Sequence, residues 1–126
     1  MSGYSDVQAV TITADTVALD ADGISVAASV GNNAALTIGG ALASGGAVSL
    51  SHGRIVTILS AGNDAAKSFT VTGTDVNGDA QTESITGANA GTATGTKFFK
   101  TISGISAVGN PAGNVSAGVN ASAADV

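Results

Sequence analysis

The chain has no cysteine and no tryptophan, and only one histidine, one proline and one methionine among its 126 residues. Without cysteine there is no disulfide framework, no thiolate nucleophile and no Cys-ligated zinc or iron-sulfur centre. The lone His52 excludes a paired-histidine metal site. No Gly-x-Ser-x-Gly elbow occurs, and Ser51 beside His52 is not a triad, which is recognised by geometry rather than by residue types. No enzyme activity and no cofactor are expected. The only cations are Arg54, Lys67, Lys97 and Lys100, too few to neutralise a phosphate backbone, so nucleic-acid binding is not expected. The uncharged stretch from Gly23 to Ser51 is interrupted by Asn32-Asn33 and by glycine pairs and holds no long Leu/Ile/Val run. No membrane span is expected from it. Met1 to Asp6 offers neither a basic nor an apolar region, so cytoplasmic synthesis without a cleaved signal is the expectation.

What is present is mostly small. Alanine supplies 24 residues, and Ile, Leu, Val and Phe together only 29, so the core must be thin. A net charge of -5 and a mean hydropathy of +0.37 do not fit a disordered tail. Gly, Ala, Ser, Thr and Asn make up 78 residues, which suits tight turns and close strand packing better than helices packed by leucine. Charge divides the chain: residues 1–52 carry Asp6, Asp15, Asp20 and Asp22 without a Lys or Arg, while 53–126 hold all four cations against five carboxylates. This points to an N-terminal strand-rich arm or subdomain over 1–52 and a compact antiparallel β domain over 53–126. The arm would gain its order from neighbours.

Short β-prone pieces occur at Val7–Thr13, Ile24–Val26, Ala35–Ile38 and Ala47–Leu50, with Gly39-Gly40 and Gly45-Gly46 as turns or close-packing points. Arg54–Ser60 is rich in β-branched residues and reads as a central strand. Ser68–Thr74 alternates, with Phe69 and Val71 on one face. Asn77-Gly78 signals a hairpin. A two-residue loop would set Ile85 opposite Thr70. A three-residue loop, with Gly78 in the left-handed bulge position, pairs Phe69 with Ile85 and sets a rim Glu83 opposite Val71; it is preferred, since burying Ile85 gains more than a rim Glu costs. Lys97–Ile102, Ile105–Val108 and Val115–Val119 follow as strands. No amphipathic helix is apparent. The expected fold is all-β, an antiparallel β-sandwich or small barrel with an extended N-terminal segment, its core built on Ile55, Ile58, Phe69, Val71, Ile85 and Ile102.

Two constellations invite a functional reading. Asp75-x-Asn77-x-Asp79 resembles a calcium loop, but Ala80 and Thr86 stand where an EF-hand needs Gly and Glu, and turn chemistry explains the same residues. No metal site is assigned. Lys97-Phe98-Phe99-Lys100 is more informative. Adjacent strand residues face opposite sides, so one phenylalanine must leave the core, wasting roughly 2 kcal/mol of burial unless something covers it. Phe98, Phe99, Lys97 and Lys100 are therefore the candidate interface residues, the alternative being a cover within the chain. His52 is expected in the turn before Arg54.

Gly53–Asp64, with Phe69–Asp79 and Glu83–Gly87, resembles the small structural proteins of tailed bacteriophages, in which Thr-rich hairpins build β domains that decorate heads or join virion parts. The resemblance spans about residues 53 to 119 and carries no individual site. It implies a capsid decoration (cement) subunit on the virion head surface, made in the host cytoplasm. It also implies the major capsid protein as partner, a homo-oligomer with a trimer favoured, and an extended N-terminal segment that touches the shell. The alternative is a tail or adhesin-type module that recognises host surface glycan, for which exposed aromatics are scarce.

Overall fold

The computed structural model describes residues 20–124. None of them is helical. Seven antiparallel strands form one sheet: β1 (Asp20–Ala28), β2 (Ala43–Ser44), β3 (Ala47–Ser60), β4 (Ser68–Thr74), β5 (Ala80–Thr86), β6 (Thr92–Val108) and β7 (Val115–Ala124). Their order is β1-β7-β3-β6-β4-β5, with β2 pairing beside β3. The antiparallel all-β expectation holds. Val7–Thr13 lies outside the described residues.

β3 and β6 are longer than the pieces read from the sequence. Ala47–Leu50 and Arg54–Ser60 are one strand, so His52 sits inside β3, half-buried, and not in a turn. Lys97–Ile102 and Ile105–Val108 likewise belong to one strand that already begins at Thr92. The reason is irregular pairing rather than chain reversal. From Ser49↔Thr101 to Arg54↔Phe99, β3 advances five residues against two of β6; from Ile55↔Phe98 to Thr57↔Thr94, β6 advances four against two. A further irregularity at Ser103 separates Thr72↔Gly104 from Gly73↔Ile102. Extra residues of this kind bend a strand and sharpen its twist, and the bent sheet shares its core with Val30 and Leu36 from the segment between β1 and β2.

That core joins both halves of the sequence. Phe69, Phe99, Ile24, Ile58, Ile102, Ile105, Val56, Val71 and Val119 are almost wholly buried, and Val30, Leu36, Val48 and Leu50 share the same cluster. β3 runs through the 52/53 position. Of the expected core residues, Ile58, Phe69, Val71, Ile85 and Ile102 are buried, whereas Ile55 is only half-buried. It pairs with Phe98 on the sheet's outward face, since the next residue on each strand, Val56 and Phe99, takes the inward, fully buried position.

The β4–β5 hairpin has the register expected of a three-residue loop: Phe69 pairs with Ile85 and Val71 with Glu83. The Asp75 amide donates to the Asp79 carbonyl at 2.9 Å, closing the loop over Val76-Asn77-Gly78, and Gly78 takes φ +85°. Only a residue without a Cβ adopts that conformation at little cost.

Candidate interaction surface

The Lys97–Lys100 strand segment is positioned by β3 through ladder pairing and by β5 through side-chain hydrogen bonds. Phe99 points into the core, fully buried, and Phe98 faces outward, half-buried, with Ile55 as its cross-strand partner. Alternation along β6 produces this split. The two extra residues of β6 in this region free backbone amides that a regular ladder would occupy.

Glu83 answers them. Its Oε2 accepts from the Thr96 amide at 2.6 Å and from the Thr96 hydroxyl at 3.0 Å, and its Oε1 accepts from the Lys97 amide at 3.3 Å. The residue is buried, so the expected rim position is corrected: the bend of β6 brings the Thr96 and Lys97 donors to the carboxylate, which is covered while they stay exposed. Gly95 makes room, since a Cβ there would lie 2.7 Å from the Glu83 Oε1. On the same seam the Gln81 side-chain amide donates to the Phe98 carbonyl at 2.6 Å, and the Lys97 ammonium donates to the Thr82 carbonyl at 2.9 Å. Edge strand β5 is thus stitched to the first half of β6 by side chains.

Lys97 is exposed and Lys100 half-buried. Of the four sequence-selected residues, Phe98, Lys97 and Lys100 remain at least partly accessible, and Phe99 is committed to the core. Arg54, paired with Phe99, sends its Nη2 to the Asn120 carbonyl at 3.1 Å. Desolvation lowers its pKa from the ordinary value, and the charge of Asp20 works in the opposite direction.

At one end of the sheet, three loops meet around Asp64, which sequence reasoning treats only as a turn residue. It is fully buried, and its Oδ1 accepts from the Ala112 amide at 2.7 Å. Its backbone amide donates to Ala88 and its carbonyl accepts from Lys67, both at 2.9 Å. The 61–67, 87–91 and 109–114 loops are therefore tied at one residue. An Asn-Asp pair after a strand signals a turn but says nothing of burial.

The Asp75 carboxylate is engaged in its own loop: Oδ1 accepts from the amides of Asn77 at 2.8 Å and Asp79 at 3.0 Å. Among the described residues no group of three or more His, Cys, Asp or Glu side chains could hold a metal ion. A shallow apolar groove of about 310 Å³ lies between Val26, Ala27 and Ala28 of β1 and Thr37 and Gly39. Val26 beside it is exposed, as are Leu59 and Val108 elsewhere on the surface. No family model matches the chain, and neither the curated proteins nor the solved structures contain a match to it.

Proposed function

We propose that the protein is a structural virion subunit, a capsid decoration or cement protein that bridges capsomers of a phage head. The observation that carries this reading is the outward Phe98–Ile55 pair on a bent, internally stitched sheet. A scaffold with so few large apolar residues gains little by leaving a phenylalanine only partly covered outside its core, and aromatic side chains in that position commonly anchor subunit contacts. Lys97 and Lys100 flank it and give the rim polar character. Stabilisation would come from added contact area: each copy contributes modest burial, and many copies on one shell multiply it. The sequence resemblance to head-decorating β domains supports the same reading, with the major capsid protein as partner and a homo-oligomer as the working unit.

The test is binding to shells that lack the protein, prepared from the phage that encodes it. Purified protein should co-sediment with those shells to a saturating stoichiometry and raise the temperature at which they disrupt. Phe98→Ala should weaken binding while the variant keeps a cooperative melting transition. No binding at saturating protein concentration would overturn the proposal.

A further inference from the structure

The tip of the β4–β5 hairpin carries chemistry that the interface does not use. Asn77 is followed by Gly78, and each of the other seven asparagines is followed by a residue with a side chain. Both Asn77 and Gly78 are exposed. A backbone amide nitrogen that follows asparagine can attack that residue's side-chain carbonyl carbon, and a Cβ on the attacking residue hinders the approach. Only Gly78 lacks that hindrance.

We propose that Asn77 is a slow self-modification site whose rate is governed by Asp75. In the reaction the Gly78 nitrogen loses its proton and bonds to Asn77 Cγ, the Cγ–Nδ2 bond breaks, and ammonia leaves with the proton. Water then opens the resulting succinimide at either carbonyl to give aspartate or isoaspartate. No oxidant or other co-reactant is needed.

The fold restrains the first step. The Gly78 N–H donates to the Asp75 carbonyl at 3.1 Å, while the Asp75 carboxylate holds the amides of Asn77 and Asp79 on either side at 2.8 and 3.0 Å. All three consecutive amides of the turn are therefore directed toward Asp75. To reach Asn77 Cγ the Gly78 nitrogen must leave its acceptor and the peptide must rotate, which the two flanking bonds oppose. Asp75 acts as a positioning residue that slows the reaction without taking part in it.

The product alters the hairpin. An isoaspartate adds one atom to the main chain of a three-residue loop whose closure depends on Gly78 at positive φ. Either product places a third carboxylate between Asp75 and Asp79, where like charges oppose one another. Since β5 carries Gln81 and Glu83 to their β6 partners, loosening the hairpin also loosens that seam.

The experiment incubates the purified full-length protein at mildly alkaline pH and follows each asparagine by peptide mass spectrometry, with enzymatic isoaspartate labelling as a second readout. Conversion should be confined to Asn77, with aspartate and isoaspartate both formed. Asp75→Ala should accelerate it about tenfold, the factor that corresponds to ~1.4 kcal/mol of lost hydrogen bonding. Asp75→Asn keeps a side-chain oxygen acceptor and should restore the slow rate. If Asp75→Ala loosens the whole fold, the other asparagines would accelerate with Asn77, and their rates in the same digest reveal it. Conversion at Asn77 no faster than elsewhere, or a rate indifferent to Asp75, would overturn the proposal.

Discussion

Replacing Glu83 tests how the sheet is closed. The carboxylate accepts three hydrogen bonds, two of them at 3.0 Å or less, and bonds to a charged group are worth about 1.5–3 kcal/mol each. Glu83→Ala removes the acceptor and leaves the Thr96 and Lys97 amides beside an apolar methyl. The Thr96 hydroxyl can turn to water, and the Lys97 bond is the longest of the three, so the equivalent of about two bonds is lost. Part of that loss is offset because a carboxylate no longer needs to be desolvated. A net destabilisation of about 3 kcal/mol follows, equivalent to roughly 12 °C in melting temperature for a chain of this size. Glu83→Gln separates the contributions. Its amide oxygen can keep both Thr96 bonds, but its NH2 then opposes the Lys97 amide, so the cost should be about 1 kcal/mol. Urea titration followed by circular dichroism measures both variants. Amide hydrogen exchange should quicken at Thr96 and Lys97 in Glu83→Ala before it changes in β4. An alanine variant within about 0.5 kcal/mol of the parent, or a glutamine variant as unstable as the alanine one, would refute the reasoning.

Four further substitutions probe other parts of the structure. Asp64→Ala removes the buried carboxylate that ties the 61–67 loop to the 109–114 loop and leaves the Ala112 amide without its acceptor, so thermal denaturation should register a loss of about 1–3 kcal/mol. Phe99→Ala should cost about 3–5 kcal/mol as a core truncation, whereas Phe98→Ala should cost only about 1 kcal/mol, half the full transfer value; denaturant titration of the pair shows which face each ring occupies. Ala90 has φ +51°, a conformation that glycine adopts more easily, so Ala90→Gly should leave the protein as stable or raise its stability by up to about 1 kcal/mol in the same titration.

The hairpin was the most legible element. Phe69, Val71 and Ile85 alternate around Asn77-Gly78, and local periodicity and turn chemistry together select one register. The opposed faces of Phe98 and Phe99 follow from strand alternation alone. The bends of β3 and β6 were not legible, since their extra residues lie in segments that read as ordinary strand or loop, and Gly95 acquires meaning only when Glu83 is beside it. Glu83 itself read as a rim residue because its donors come from a different strand, and no spacing rule links them. Asp64 escaped for a similar reason: its partner Ala112 lies in a distant loop, and a turn sequence carries no record of what packs over it. Ile55 looked like core because it sits in a β-branched run, but its side of β3 is only partly covered at that position, whereas Val56, Thr57 and Ile58 just beyond it are all buried.

A decoration role makes one demand that a free binding module does not: many copies at regular positions on the head. If the proposed role is right, the chain is encoded by a tailed phage, and a cryo-electron microscopy map of that phage's particle tests it directly. The sheet described here should fit density repeated evenly over the head surface, with the Phe98–Ile55 face toward a neighbouring subunit. Density for it confined to the tail tip, or absent from the particle altogether, would contradict the proposal.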